Sequence, residues 1–278
     1  MTVLVMTSLV MLGGFVAGLV GALTGLGGGI VIVPLLTLAF HVDVHYAVGA
    51  SLISVIATSS GAAAAYVREG FTNIRVGMFL EVASTSGALA GAYLALLVSP
   101  NLIAVLFGLV LLFTAVESLR PHPERVSDAP PRGLAAQLRL GSSYPGPSGP
   151  RPYQVERPGA GFALMIVAGA LSALLGIGGG VLKVLAMDRT MRLPFKVSTT
   201  TSNFMIGVTA AASAAVYLGR GYIVPALAMP VMLGVLAGAL VGARLLRAAE
   251  TRALRLLFTA VVVVLALEML YRGIGGKF

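Results

Sequence analysis

The sequence GLGGG at residues 25–29 interrupts one apolar run, and GIGGG at residues 176–180 interrupts another, 151 positions later. A glycine inside a helix costs about 1 kcal/mol relative to alanine, so clustered glycines in apolar sequence predict a break in the helix. Within a bilayer such a break persists only where buried protein or a water-filled cavity satisfies the freed backbone groups. We therefore interpret the two breaks as the lining of one site.

The composition indicates an integral membrane protein. Of the 278 residues, 58% are hydrophobic and only 10% are charged, which is too apolar for an ordinary soluble domain. The formal net charge is +9, but the basic residues lie between apolar runs and in one central segment, so nucleic acid is not expected as a partner. The chain has no cysteine, which excludes disulfides and thiolate chemistry.

Ten apolar segments follow one another in two sets of five. The second segment of each set follows a glycine stretch and is too short to cross about 30 Å of hydrocarbon, which predicts a half-helix. Between the sets, a composition rich in Pro, Gly, Ser and Arg predicts a mostly disordered linker with a weak helix near residues 134–140. The predicted organisation is a membrane repeat at residues 1–119, a cytoplasmic linker at 120–158 and a second membrane repeat at 159–278.

The two sets align at a constant offset of 151 without a gap. Besides the glycine stretches, this register pairs Ser51 with Ser202 and Thr58 with Thr209, and it repeats a Gly-Ala-Leu sequence in the fourth segment. Chance could match single alanines or glycines, but not the shared order of glycine break, hydroxyl-rich helix and small-residue helix. The chain is therefore predicted to be a tandem duplication.

The basic residues predict how each copy is oriented. The linker carries six arginines, which is typical of a cytoplasmic segment. Counted from the linker, two turns of the first copy that lack Lys and Arg correspond to basic loops in the second copy. An odd number of crossings per copy produces this exchange. We therefore predict an all-α membrane protein, a polytopic helix bundle of two inverted-topology repeats with Gly-broken half-helices.

On these motifs the chain resembles the TauE/SafE sulfite exporter family of membrane permeases. The resemblance rests on the two glycine stretches, AVGAS at residues 47–51 and TSNFMIG at residues 201–207. It implies transport of sulfur-containing anions such as sulfite, sulfoacetate or organosulfonates, often outward. The chain departs from the pattern in the second copy, where Leu185 replaces the proline that the first copy has at Pro34 and Lys183 lies two residues earlier.

The predicted substrate site combines backbone, hydroxyl, amide and ammonium groups. Glycines let the backbone approach an anion closely, whereas glycines at small-xxx-small spacing, such as Gly87, Gly91, Gly238 and Gly242, are interpreted as packing residues. The repeat-matched hydroxyls either donate to the anion or bond the carbonyl four residues earlier in their own helix. The predicted substrate-binding residues are Gly25, Gly27, Gly28, Gly29, Ser51, Thr58, Gly176, Gly178, Gly179, Gly180, Lys183, Ser202, Asn203 and Thr209.

Two charged residues stand out within apolar sequence. An ammonium at mid-bilayer costs at least about 2.5 kcal/mol without a partner or water, so an intramembrane Lys183 is functional by default. The alternatives are a snorkelling lysine or a pair with Asp188 or Glu81. Glu81 is the candidate for binding a coupling ion, a proton, and a structural ion pair with Arg75 is the alternative. Glu117, near a helix end, is expected to face water.

Two function classes follow from these residues and motifs. The first is a secondary transporter that exports small sulfur-containing anions across the cytoplasmic membrane, and the second is a passive anion channel or a permease for a small carboxylate. The sequence has no GxxxxGK[ST] motif and no nucleophile and base in a suggestive pattern, so we expect no enzyme and no cofactor. His41, Asp43 and His45 make a poor metal site. The expected partners are the small anion and the lipid bilayer, with homodimer formation left open.

Overall fold

The computed structural model describes residues 3–24, 28–68, 70–119, 133–146, 149–245 and 251–277. Within these ranges the chain is almost entirely helical, and a single two-stranded sheet is present. The first copy forms α1 (Val3–Thr24), α2 (Gly29–Pro34), α3 (Val44–Arg68), α4 (Ile74–Ala95) and α5 (Pro100–Leu119). The linker forms α6 (Leu134–Gln137), β1 (Ser142–Gly146) and β2 (Gly149–Tyr153). The second copy forms α7 (Pro158–Leu175), α8 (Gly180–Leu185), α9 (Phe195–Gly219), α10 (Pro225–Leu245) and α11 (Thr251–Ile274).

The short segments after the glycine stretches are half-helices, as predicted. Each has six residues of α-helix, and each continues into one π-helical turn, Leu35–Ala39 after α2 and Ala186–Thr190 after α8. The π-turn occurs in both copies although Pro34 at the end of α2 is replaced by Leu185 at the end of α8. A proline at this position is therefore not required for the π-turn.

Four of the described helices are long and apolar enough to cross a membrane. They are Pro100–Leu119, Pro158–Leu175, Phe195–Gly219 and the part of α10 from Pro225 to Gly242. Large hydrophobic side chains are exposed along several helices, for example Val82 on α4, Val167 on α7 and Leu267 on α11, as expected for surfaces that face lipid. The structure thus confirms an all-α membrane protein.

Helices of one copy pack mainly on helices of the other. The principal pairs are α1 with α10, α4 with α7, α3 with α9 and α5 with α11. Exchanging the two copies converts the first pair into the second and leaves the other two pairs unchanged. This pattern is that of two units related by a two-fold axis.

The equivalent helices α3 and α9 run in opposite directions. The His45 ring at the start of α3 stacks on Tyr222, which follows the end of α9, with ring centroids 5.0 Å apart. Further along α3, Ser59 lies against Gly207 in the first half of α9. Two equivalent helices that point oppositely are what an inverted repeat requires, so the predicted inversion is confirmed.

Glycines allow the close crossings between the copies. A Cβ at Gly87 of α4 would overlap the backbone carbonyl of Ile166 in α7, and a Cβ at Gly238 of α10 would overlap that of Phe15 in α1. These two contacts are equivalent in the repeat register. The packing interpretation of Gly87 and Gly238 is therefore confirmed.

The prediction of a mostly disordered linker is wrong for residues 133–146 and 149–157. The weak helix expected near residue 134 is α6, and β1 pairs with β2 in an antiparallel hairpin. Four linker side chains are buried in an apolar cluster formed with α4, α7, α8 and α9. These side chains are Leu140, Tyr144, Tyr153 and Val155. Residues 120–132 lie outside the described residues.

Asn73 joins the linker to the bundle. Its Nδ2 donates to the Leu140 carbonyl at 3.0 Å and to the Tyr153 hydroxyl at 2.7 Å, while its Oδ1 accepts from the Val76 amide and caps α4. The Asn73 amide donates to Thr201 Oγ1 of α9 at 3.0 Å. Burial raises the pKa of Tyr153 to about 12. The hairpin is thus held by buried, satisfied polar groups as well as by apolar contacts.

Candidate functional site

The second glycine stretch has a backbone that only glycine adopts readily. Gly176, Gly178 and Gly179 have φ values of +69°, +73° and +65°, in the left-handed region. Other residues pay roughly 1–2 kcal/mol for this conformation. Helix α7 ends at Leu175 and α8 begins at Gly180, so the left-handed glycines lie in the connection between them.

The first stretch is described only in part. Gly25 and Gly27 lie outside the described residues, while Gly28 has φ −67° and caps α2, which begins at Gly29. The Gly28 carbonyl accepts from the amides of Val31 and Ile32. The two breaks therefore differ at their last residues, since Gly28 is right-handed and Gly179 is left-handed.

Parts of both breaks meet beside α3. The Ser51 hydroxyl donates to the Gly176 carbonyl at 2.7 Å, and a Cβ placed on Gly29 would lie 3.0 Å from the same carbonyl oxygen. In α9, the matched Ser202 donates to the Gly180 carbonyl at 3.3 Å. Both serines thus hold the second break in place. Their role in substrate binding stays a prediction.

Two of the predicted polar residues are satisfied within their own helix. Thr58 donates to the Ser54 carbonyl at 3.0 Å, and Asn203 Nδ2 donates to the Thr199 carbonyl at 3.1 Å. This is the local alternative to substrate binding. The repeat partner of Thr58, Thr209, also lies 3.0 Å from the carbonyl four residues earlier, that of Met205, but it makes further side-chain contacts.

Lys183 lies on α8, in the interior of the protein. Its side chain has no exposed surface, and Nζ donates to Thr209 Oγ1 at 2.5 Å. Thr209 in turn donates to Glu81 Oε1 at 2.8 Å and lies 3.0 Å from the Ser84 hydroxyl. Thr85 also donates to Glu81 Oε1, at 2.9 Å. We call Lys183, Thr209 and Glu81 the charged triad.

The triad decides between the alternatives for Lys183 and Glu81. A fully buried, hydrogen-bonded Lys183 does not snorkel, so that alternative is wrong. Glu81 is linked to Lys183 through Thr209, and the expected ion pair with Arg75 is wrong because Arg75 Nη1 donates to the Arg139 carbonyl at 3.2 Å. The structural reason is that Glu81 points toward α8 and α9, whereas Arg75 reaches the linker.

The charged triad is not repeated at the equivalent positions of the duplication. In the repeat register, the residues equivalent to Lys183 and Glu81 are Ile32 and Met232. Thr58 occupies the third position and bonds within its own helix. The two copies have therefore kept the same fold, but these opposite charges occur only where α4 meets α8 and α9, and not at the equivalent place where α10 meets α3.

Ser172 is a further candidate residue, which the sequence patterns did not single out. It lies on α7 with 1% exposure, and its hydroxyl has no hydrogen-bond partner among the described residues. A Cβ on Gly179 would lie 3.1 Å from this hydroxyl, so Ser172 faces the second break. A signal was available, because the equivalent residue of the first copy is Gly21 and the serine departs from the repeat.

Two other polar clusters are structural. His45 Nδ1 lies 3.2 Å from Asp43 and Nε2 lies 3.0 Å from the Ala95 carbonyl, and the described residues contain no group of three metal-ligating side chains. Glu117 does not face water as expected. It is buried and forms an ion pair with Arg189 at the edge of an apolar cavity of about 310 Å³ between α5, α7 and α8.

The family model for the sulfite exporter TauE/SafE matches residues 10–269. The chain belongs to the TauE/SafE sulfite exporter family. Among similar proteins, the probable membrane transporter protein YunE of Bacillus subtilis (strain 168) is 30% identical over 94% of this chain and 96% of its own length. The probable membrane transporter protein YdhB of the same organism is 26% identical over 83% of this chain and 86% of its own length.

An archaeal relative extends the match. The probable membrane transporter protein MJ0441 of Methanocaldococcus jannaschii is 23% identical over 96% of each chain. No solved structure matches the chain. The TauE/SafE assignment and these relatives make the protein a membrane transporter and not an enzyme.

Proposed function

We propose that this TauE/SafE protein is a secondary transporter that exports small sulfur-containing anions, such as sulfite or organosulfonates. We further propose that it crosses the cytoplasmic membrane several times with its linker on the cytoplasmic side. The observation that carries the proposal is Lys183, a buried ammonium in the first turn after the second glycine break. A buried positive charge in a membrane protein marks a substrate or ion pathway.

A second group at the same break points to a ligand. The Ser172 hydroxyl is buried, faces Gly179 and has no partner in the part of the chain that the structure describes. A buried hydroxyl without a partner costs about 1–3 kcal/mol, which a bound acceptor would offset. Sulfite and sulfonate groups offer three acceptor oxygens, so such an anion can accept more than one hydrogen bond from groups beside the break.

The fold supplies a route to alternating access. The breaks lie where the inverted copies meet, beside the antiparallel α3 and α9, and Gly29 approaches Gly176 there. In inverted-repeat transporters, substrate sites lie at the repeat interface on discontinuous helices, and the two repeats rock around them. A site shared by both copies can therefore face each side of the membrane in turn.

The test is counterflow of labelled sulfite and sulfoacetate in liposomes. We expect Lys183→Met to reduce affinity about 10- to 100-fold, because a hydrogen bond to a charged group contributes about 1.5–3 kcal/mol. The matched control is Ile32→Met, which changes the equivalent residue of the other half and should retain transport. Ser172→Ala should weaken binding without preventing insertion.

Each alternative function has its own outcome. A channel would give electrical conductance and no counterflow, whereas a carboxylate permease would exchange carboxylates in preference to sulfonates. Absence of counterflow with every sulfur anion, in protein that remains folded, would overturn the proposal. Wild-type affinity in Lys183→Met would remove the anion from this lysine.

A further inference from the structure

The charged triad brings two opposite charges together across one hydroxyl. Lys183 and Glu81 act electrostatically on each other, and the Thr209 hydroxyl lies within hydrogen-bond distance of both. Helix α7, which packs on α4, carries no titratable side chain. The other titratable side chains on the segments that carry the triad or pack around it are Arg75 and Tyr93 on α4, Asp188, Arg189 and Arg192 in and after the π-turn that follows α8, Lys196 and Tyr217 on α9, and Arg139, Tyr144, Arg151, Tyr153, Glu156 and Arg157 in the described part of the linker.

We propose that Glu81 is the proton-binding site of transport, and that a proton on Glu81 and an anion on Lys183 bind together and cross together. This inference rests on the proposed function, because it assigns Lys183 to the anion. It adds the coupling ion, the residue that carries it and the stoichiometry of one proton per cycle.

The hydroxyl of Thr209 makes the two sites communicate. The Thr209 hydroxyl accepts from Lys183 at 2.5 Å and has one proton, for which Glu81 Oε1 at 2.8 Å and the Met205 carbonyl at 3.0 Å are the acceptors. Donation to Glu81, the shorter and charged contact, links the two charges. The carboxylate thereby balances the ammonium. When Glu81 takes up a proton, Lys183 loses that balance, and a buried ammonium without a counter-charge is costly. An incoming anion restores the balance, so each ligand favours the other.

Glu81 has an open position for the proton. Its Oε2 is buried and has no hydrogen-bond partner among the described residues, while Oε1 accepts from Thr85 and Thr209. A proton on Oε2 leaves the Oε1 contacts in place. It also turns Oε2 from an acceptor into a donor, which an anion at Lys183 can use.

The asymmetry of the duplication sets the stoichiometry. The equivalents of Lys183 and Glu81 are Ile32 and Met232, which carry no charge, so these equivalent positions do not form a second proton site. One proton accompanies one anion, and a dianion crosses with one net negative charge. A membrane potential that is negative inside drives this complex outward, whereas an inward proton gradient opposes its exit.

The experiment measures proton uptake when sulfoacetate binds to the purified, full-length protein in weak buffer with a pH indicator. Sulfoacetate keeps its charge near neutral pH, so any proton taken up belongs to the protein. We expect about one proton per bound anion where Glu81 is ionised in the free protein, and an affinity that falls up to about tenfold per pH unit there. Glu81→Gln should take up no proton and bind with an affinity independent of pH.

Two variants serve as matched controls. Glu117→Gln changes the buried carboxylate that pairs with Arg189, outside the triad, and should keep the proton uptake of the wild type. Glu81→Asp keeps a titratable group and should also keep it. Infrared spectra recorded across a pH change without anion should show a protonated-carboxyl band that Glu81→Gln lacks, which tests the site even if that variant binds no anion.

The outcomes separate this inference from the proposed function. Sulfoacetate binding without proton uptake would overturn the proton site and leave the anion transporter intact. Proton uptake that persists in Glu81→Gln would assign the proton elsewhere and also overturn it. If neither sulfite nor sulfoacetate binds to folded protein, both proposals fail.

Discussion

Replacing Gly179 by alanine should damage the protein, whereas the same change at Gly28, its repeat equivalent, should not. Gly179 has φ +65°, where a Cβ costs about 1–2 kcal/mol, and that Cβ would lie 2.8 Å from Ser172 Cβ. The resulting overpacking adds roughly 1–3 kcal/mol. Gly28 has φ −67°, which alanine accepts, and its Cβ would meet the Val235 side chain at 3.0 Å.

These values predict a measurable difference in thermal unfolding. The sum for Gly179→Ala is about 3 kcal/mol, which for a chain of this size lowers the unfolding midpoint by roughly 6–12 °C. For Gly28→Ala, the entropy lost by the unfolded chain stabilises by about 0.4–1 kcal/mol and offsets the tight Val235 contact. We therefore expect a midpoint within about 4 °C of the wild type.

The assay is thermal unfolding in one detergent, followed by size-exclusion chromatography, together with anion counterflow in liposomes. Gly179→Ala should lose stability and transport, because the added methyl group also displaces the Ser172 hydroxyl from the break. Equal midpoints for the two variants would refute this prediction, since they would mean that the left-handed backbone and the close Ser172 contact have no energetic effect.

Three further predictions concern the packing of the bundle. Asn73→Ala removes a helix cap and two buried hydrogen bonds, to the Leu140 carbonyl and the Tyr153 hydroxyl, and should lower stability by about 2–4 kcal/mol in chemical unfolding; a loss below about 1 kcal/mol would contradict it. The Tyr153 pKa of about 12 exceeds its usual value of 10, so the folded state keeps the proton longer. The free energy of unfolding therefore does not depend on this tyrosine below pH 10 and falls by about 2–3 kcal/mol as the pH rises to 12. Tyr153→Phe should lack this fall when unfolding midpoints are compared across this pH range. Gly238→Val places side-chain atoms on the Phe15 carbonyl and should reduce the yield of folded protein, measured by fluorescence-detected chromatography; a wild-type yield would show that α1 and α10 can separate without harm.

The repeat explains why so much of the fold could be predicted. Each helix pattern occurs in both copies, and agreement between the copies supports its assignment. The half-helices α2 and α8, the inversion and the packing glycines Gly87 and Gly238 could therefore be predicted from sequence. Each of these features depends on the local chain or on its copy. The order of the basic residues between the segments is what predicted the inversion.

The linker hairpin could not be predicted from average composition. Its apolar side chains, such as Leu140 and Tyr153, are few among many Pro, Gly and Ser residues. They are ordered because a ready apolar surface on α4, α7, α8 and α9 receives them and because Asn73 bonds to them. The information therefore resides partly in the bundle and not in the linker.

The charged triad could be recognised only from the three-dimensional structure. Lys183, Thr209 and Glu81 come from α8, α9 and α4, and the two residues that share the Thr209 to Glu81 bond are 128 positions apart. The sequence could identify Lys183 and Glu81 as charged residues whose burial in apolar helices costs free energy. It left Asp188 and Glu81 open as partners of Lys183, and it offered an ion pair of Glu81 with Arg75 that the structure does not contain.

The exchange of partners between the copies has a consequence for biosynthesis. Helix α1 packs on α10, yet α1 ends at Thr24 and α10 begins only at Pro225. At roughly 5–20 residues per second, the ribosome needs about 10–40 s to deliver the second helix after the first. Throughout that interval the face of α1 that packs on α10 lacks this neighbour, so the nascent chain must rely on lipid, the insertion machinery or provisional contacts until translation is nearly complete.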